Sequence, residues 1–225
     1  MKWLEYDSDN LLADKILNLI EESLNQDIVE NGKASLLLSG GSSPLFLYSR
    51  FAELDVNWSK VFIGLVDERM VLVNSKMSNY YNIKKALGNK VISKVKFLSL
   101  IEKIDDSVEN LIEINNLNKE FFGLKTLVLL GMGLDGHTAS LFSNPQQAPL
   151  GLTEKEAKII SSISPSYPFK RVSHNKASLV NTKRLFLYIK GSEKRAVFNS
   201  ATKAKTPIAY FINQNNPELM VFWTK

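Results

Sequence analysis

The sequence has no cysteine and only two histidines, His137 and His174, among 225 residues. The first absence excludes disulfides, thiolate metal sites and a cysteine nucleophile. The second leaves too little imidazole for a His-rich metal site, so no metal is expected. Any histidine chemistry must fall to one of two residues. Long apolar runs are also missing. The longest, such as Leu127–Leu130, are of strand length, far short of the roughly 20 residues that span a bilayer. No membrane association is therefore expected. The N-terminus, Met1-Lys-Trp-Leu-Glu-Tyr-Asp7, carries acids where a signal peptide needs an apolar stretch. The expected location is the cytoplasm.

What is present is an ordinary globular composition, 44% hydrophobic and 23% charged. Twenty-eight Lys and Arg against 23 Asp and Glu leave a net charge of +5. A basic balance admits nucleic acid, an anionic surface or an anionic small molecule as partner. The lysines are scattered, without a block of like charge, so nucleic acid is not expected. The charge is then either a solvated surface or a site for a small anion.

Short apolar runs alternate with helical spacing. Helices are predicted over Asn10–Glu30, Pro44–Phe51, Asn79–Leu87 (with Ser78 as N-cap), Ser107–Phe122 and Glu193–Lys203. Strands are predicted at Ala34–Leu38, Val61–Val66, Val95–Leu98, Thr126–Leu130, Lys158–Ile163, Leu185–Ile189 and Met220–Trp223. Ser143–Thr153 reads as a surface loop. Strand–helix alternation over residues 1–225, without repeats or a linker, predicts one α/β domain, a mostly parallel sheet with helices on both faces. Ligands of such sheets bind beyond the carboxyl ends of the strands, so the residues there are the candidates.

After Ala34–Leu38 come Ser39, Gly40, Gly41, Ser42, Ser43 and Pro44. Two glycines and a following helix N-terminus make either a phosphate cradle or an ordinary turn. After Val61–Val66 comes Asp67-Glu68-Arg69, a pair of carboxylates beside a guanidinium, suited to hydroxyls and anions or to a surface ion pair. After Thr126–Leu130 comes Gly131-Met-Gly-Leu-Asp-Gly-His-Thr138. It contains G-x-G-x-x-G, but the acids near the ribose-binding distance, Glu154 and Glu156, precede the next strand instead of ending it, so a dinucleotide is not expected. Asp135 and His137 flank a glycine at the sheet mouth. With a helix starting there, its dipole would disfavour the imidazolium and leave His137 able to accept a proton. Arg171 and Lys194 gain significance only if a phosphate must be held.

Taken together, Leu38–Pro44, Asp67–Arg69, Ser78-Asn79, Gly131–Phe142, Arg171–Ser173 and Gly191–Lys194 resemble the 6-phosphogluconolactonase family of the pentose phosphate pathway, in the family's order. The resemblance implies hydrolysis of 6-phospho-D-glucono-1,5-lactone without metal or organic cofactor, on a modified Rossmann-like sheet shared with the glucosamine-6-phosphate deaminases. It implies His137 as the base that activates water and Asp135 as its orienting neighbour. Arg171 and Lys194 would hold the phosphate, helped by Ser39, Gly40, Gly41 and Ser42, and Asp67 and Arg69 would line the sugar side. The partner would be a small sugar-phosphate lactone, the protein a monomer or weak homo-oligomer. The sibling deaminases carry an acid where this chain has Phe142 and tend to an aromatic residue at Arg69. A third possibility is a non-catalytic sugar-phosphate sensor on the same scaffold. Two departures from the family pattern stand out. Ser143 and Asn144 separate Leu-Phe from Pro145, and His174 replaces a typical Leu, where an exposed, structural ring is expected.

Overall fold

The apolar stripe of the first long helix explains much of the architecture. In α1 (Asp9–Asn31), Leu12, Ile16, Leu17, Ile20 and Leu24 fall on one face and are buried. Full burial of each such side chain contributes roughly 1.5–3 kcal/mol. Ser8 caps its first turn, accepting from the Leu11 N–H at 3.3 Å, and Gly32 ends it in the left-handed region. The computed structural model describes residues 1–214 and 216–225.

The remaining elements in chain order are β1 (Lys2–Tyr6), β2 (Ala34–Leu38), α2 (Ser42–Ser49), β3 (Val61–Leu65), β4 (Asp67–Arg69), α3 (Asn79–Ile92), β5 (Lys96–Phe97), α4 (Val108–Leu117), β6 (Lys125–Leu130), β7 (Ile159–Ile163), β8 (Lys170–His174), α5 (Lys176–Val180), β9 (Thr182–Lys190), α6 (Ser192–Ala204), α7 (Ala209–Ile212) and β10 (Leu219–Thr224). Seven strands form one sheet in the order β1-β10-β9-β6-β2-β3-β5, and every pairing in it is parallel. One apolar cluster covers each face, the arrangement the alternation predicts. Among the described residues no helix is long and apolar enough to cross a membrane.

The chain reverses direction across the sheet between β2 and β6. From β2 it proceeds outward to β3 and β5; from β6 it proceeds the other way, through β9 and β10. The segment after β2 packs against the α1 side, with Leu47 and Tyr48 in that cluster. The segment after β6 packs against the opposite side through Met132 and Leu141. The two loops diverge and open a crevice at the strand ends.

Several elements differ from the sequence expectations. β1 is an added edge strand with little apolar pattern of its own. The helix predicted to Phe122 ends at Leu117, and Lys119–Phe122 tightens into a 3-10 turn. Helix α3 continues past Leu87 to Ile92 through a kink at Gly88, whose φ is 66°. The Ser143–Thr153 loop closes with a π-helical turn, Pro149–Thr153, that buries Leu152. Asp67–Arg69 and Lys170–His174 are strands of a second, antiparallel sheet, β4-β8-β7.

His174 is not exposed. It is wholly buried, its Nδ1 lies 2.8 Å from the Ser178 hydroxyl, and its ring meets Phe122 edge-on. Burial, with the nearby Lys125 adding to it, pushes its pKa down to about 3, so it is neutral. The Ser178 hydroxyl satisfies one ring nitrogen, while Nε2 is buried without a partner among the described residues. Lys125 is equally buried. Its Nζ donates to the carbonyls of Phe121 at 2.7 Å and Gly123 at 3.1 Å, closing the 3-10 turn, and burial pushes its pKa down to about 7.

This lysine makes stability pH-dependent with a definite sign. Between pH 7 and its ordinary value of 10.5 the unfolded chain binds the proton and the folded chain does not, so stability rises with pH. His174 stays neutral throughout. Urea unfolding at pH 7 and pH 10 is expected to show wild type gaining stability relative to Lys125→Met as pH rises.

Candidate active site

At the crevice a cleft of about 300 Å³ opens. Its wall contains Ser39, Gly40, Gly41, Ser42, Asp67, Arg69, His137, Arg171 and Lys194. Every predicted site residue is there except Asp135, which stands behind His137.

The first wall is the turn from β2 to α2. The Ser39 carbonyl accepts from the Tyr48 hydroxyl at 2.8 Å, and its own hydroxyl is buried without a partner. Gly40 presses so closely on Asn79 that a Cβ would lie 1.9 Å from its Oδ1. Gly41, at φ 107°, starts α2 with no side-chain cap. The N–H groups of the first helical turn therefore point outward unsatisfied, a site for an anion.

The second wall is β4. Alternation along the strand separates the two carboxylates. Asp67 faces the cleft, where its Oδ2 accepts from the Ser140 hydroxyl at 2.6 Å and its carbonyl from Asn79 Nδ2 at 2.9 Å. Glu68 faces away and caps α3. It accepts from the N–H groups of Asn79 and Tyr80, both at 2.7 Å, and from the Ser78 hydroxyl at 2.8 Å. Burial pushes Glu68 above the ordinary carboxylate value, against the pull of these donors. The expected carboxylate pair is thus one cleft residue and one helix cap.

Arg69 pairs across the small sheet with Arg171, which puts both guanidinium groups on one face. Each is held by a carbonyl: Arg69 Nη1 donates to Met77 at 2.6 Å, and Arg171 Nε to Pro168 at 2.7 Å. Arg69 Nε is buried without a partner. Burial, and then the charge of Arg69, lower the pKa of Arg171. Lys194, on the first turn of α6, is half-buried and likewise lowered by burial. Among the described residues, none of the three pairs with a carboxylate within 4 Å. They leave a positive cleft.

The third wall is Gly131–Phe142, and here an expectation fails. No helix starts at His137; the segment is a series of tight turns, so no dipole acts on the ring. Contacts hold it instead. Gly133 N–H donates to the His137 carbonyl at 2.9 Å. A Cβ on Gly133 would lie 2.3 Å from the ring, so only glycine fits beneath it. Phe142 flanks it, centroids 4.8 Å apart. Gly136, at φ 77°, is pinned by the Ile208 N–H, which donates to its carbonyl at 3.0 Å. His137 Nδ1 lies 2.5 Å from Asp135 Oδ1, and that bond lowers the Asp135 pKa. An ionised carboxylate only accepts, so Nδ1 carries the proton, and in the neutral imidazole Nε2 is the acceptor nitrogen. Nε2 has no hydrogen-bond partner among the described residues.

The structure adds residues that sequence reasoning did not single out as site residues. Ser140 and Asn79 lay inside recognised motifs and orient Asp67. Tyr188 gave no signal, because β9 reads as a buried apolar strand. Its hydroxyl is buried in the cleft wall without a partner, and burial, with Asp9 adding, pushes its pKa up to about 12. Ser164 and Ser166 line the cleft from the β7–β8 connection. Among the described residues, no group of three or more His, Asp or Glu is placed to hold a metal ion.

The chain is similar to known proteins along nearly its whole length. The chain is 32% identical over 215 residues to a 6-phosphogluconolactonase of Helicobacter pylori, covering 93% of this chain and 92% of that one. It is also 32% identical over 229 residues to a 6-phosphogluconolactonase of Xylella fastidiosa, covering 98% and 95%. Among solved structures, a 6-phosphogluconolactonase from Shewanella baltica superposes with a TM-score of 0.90 at 26% identity, covering 100% of this chain and 98% of that one. Residues 7–222 match the family described as glucosamine-6-phosphate isomerases/6-phosphogluconolactonase, and the chain belongs to that family.

Proposed function

We propose that the protein hydrolyses 6-phospho-D-glucono-1,5-lactone to 6-phosphogluconate, with His137 as the general base. One observation carries the reading. An imidazole with Nδ1 committed to Asp135 leaves Nε2 unpartnered on a cleft that holds three cations without carboxylate partners. The names of the relatives at 32% identity support the same substrate.

The chemistry follows from the geometry. Nε2 takes a proton from water as the oxygen attacks the lactone carbonyl. Asp135 stabilises the imidazolium that forms. The tetrahedral intermediate collapses, the ring C–O bond breaks, and the imidazolium returns its proton to the departing alkoxide. Base and acid are then restored, and the net change is addition of one water. General-base catalysis of this kind contributes typically 10²–10⁴-fold. Arg171, Lys194 and the uncapped N–H groups at Gly41 and Ser42 hold the phosphate, which fixes the carbonyl near His137. Asp67, steadied by Ser140 and Asn79, accepts from sugar hydroxyls, and Arg69 adds charge beside it. Phe142 against the His137 ring leaves no acid there for a ring-opening relay, which favours lactone hydrolysis over deamination.

Purified protein is expected to hydrolyse freshly prepared lactone faster than buffer and to release no ammonia from glucosamine 6-phosphate. His137→Ala should lower kcat by about 10²–10⁴-fold. Asp135→Asn should lower it less, with KM unchanged. A variant at His137 as fast as wild type would remove the assignment.

Charged hydrogen bonds to phosphate predict a different signature at the other end of the cleft. Arg171→Ala or Lys194→Ala should raise KM by about ten- to a hundredfold with a smaller change in kcat. Neither should affect glucono-1,5-lactone, which lacks the phosphate. Parallel steady-state assays on the two lactones check this.

A further inference from the structure

Among the described residues Lys194 has no carboxylate partner within 4 Å, and its backbone follows a turn that is tied down on both sides. It lies three residues past Gly191, the turn residue between β9 and α6. Gly191 adopts φ 87° and caps α6 without a side chain. Both its polar groups are tied to the last strand. Its N–H donates to the Thr224 carbonyl at 2.9 Å, and its carbonyl accepts from Trp223 Nε1 at 3.0 Å. Trp223 is buried, and the Arg195 guanidinium stacks over its ring, 4.4 Å from the centroid. The same guanidinium lies 5.4 Å from the ring of Trp3 and 3.0 Å from the Glu5 carboxylate. One turn on, Phe198 packs on Trp3 with centroids 5.3 Å apart.

Successive residues on a helix point about 100° apart. Arg195 and Phe198 thus turn toward β1 and β10 while Lys194 turns into the cleft. We infer that Trp223 and Arg195 are positioning residues for the phosphate-side cation. The indole bond to Gly191 and the cation–π stack fix the start of α6, so that the flexible Lys194 side chain reaches the phosphate from a preset backbone. A lysine stem loses rotamer freedom when it binds, and a fixed starting point reduces what must be ordered on binding. The inference rests on Lys194 being a phosphate ligand.

The test is a cycle of variants assayed on the phosphorylated and unphosphorylated lactones, each variant's fold checked by circular dichroism and melting. Trp223→Phe keeps the ring and stack but removes the donor. It should raise KM for the phosphorylated lactone about three- to tenfold with kcat nearly unchanged. It should leave the unphosphorylated lactone unaffected and add nothing in a Lys194→Ala background. Arg195→Met should act in the same direction, and Arg195→Lys should recover part of the loss, which also serves if Trp223→Phe folds poorly. If Lys194→Ala raises KM and Trp223→Phe does not, the positioning role is overturned while the phosphate assignment stands. Equal losses on both lactones, or an undiminished effect without Lys194, also overturn it, making Trp223 a core residue only. If Lys194→Ala itself leaves KM unchanged, the phosphate assignment falls and this inference falls with it.

Discussion

The site depends on one constraint, the parallel pairing of β2 with β6 at the centre of the sheet. Leu36, Leu37 and Leu38 lie beside Leu127, Val128 and Leu129, all wholly buried. Neither strand tolerates a polar residue there. The chain must therefore place its chemistry just beyond, where Ser39 and Gly131 emerge side by side. Because the connections leave toward opposite faces, the two loops cannot fill the space between them. The glycine-rich composition of both loops follows. Gly40 passes Asn79 and Gly133 passes His137 at distances no side chain permits.

The second sheet completes the cleft by ordinary strand geometry. β4 starts two residues after β3, and Val66 N–H still donates to the Leu38 carbonyl, so Asp67 is carried to the same rim. Pairing with β8 then sets Arg69 against Arg171. Two adjacent guanidinium groups repel, and removing either from water costs several kcal/mol without compensation. Carbonyl oxygens from Met77 and Pro168 supply part of the compensation here, while Arg69 Nε stays buried without a partner among the described residues. A carbonyl dipole orients a guanidinium and satisfies its N–H without cancelling its charge, whereas a carboxylate would leave nothing for a ligand. The cleft therefore keeps an excess of positive charge, the property the proposed phosphate site relies on.

How far this was readable from sequence depends on the kind of signal. The central strands were legible because double burial forces continuous apolar runs, and most candidate site residues because they follow those runs; Arg171, inside the unpredicted β8, was singled out only through the family resemblance. The small sheet was not. Asp67–Arg69 is too short and too polar to show a period, and its partner lies a hundred residues on. For the same reason Glu68 looked equivalent to Asp67, although strand alternation sends one to the cleft and the other to the α3 N-terminus. His174 looked exposed because an imidazole is polar; its hydroxyl partner, Ser178, lies on the next element and was not considered. Tyr188 was hidden within a run whose other members are core.

The absence of a helix at His137 changes the physical account of that residue. A dipole would have biased its protonation by only about 0.3–1 kcal/mol, while leaving the ring free to rotate. The turns achieve something different. Asp135 fixes the tautomer, Gly133 and Phe142 fix the ring plane, and the Ile208–Gly136 bond ties the turn to the α6–α7 junction. Helix α6, which follows β9 in that region, carries Lys194 on its first turn. Both the proposed proton acceptor, His137, and one candidate phosphate cation, Lys194, are thus braced by the same C-terminal third of the chain. Their relative placement is set by packing among α6, α7 and β10, not by either loop alone. Under the proposed reading, a lactone anchored at Lys194 would reach His137 only if that spacing is kept, so the packing of this region would be part of the site.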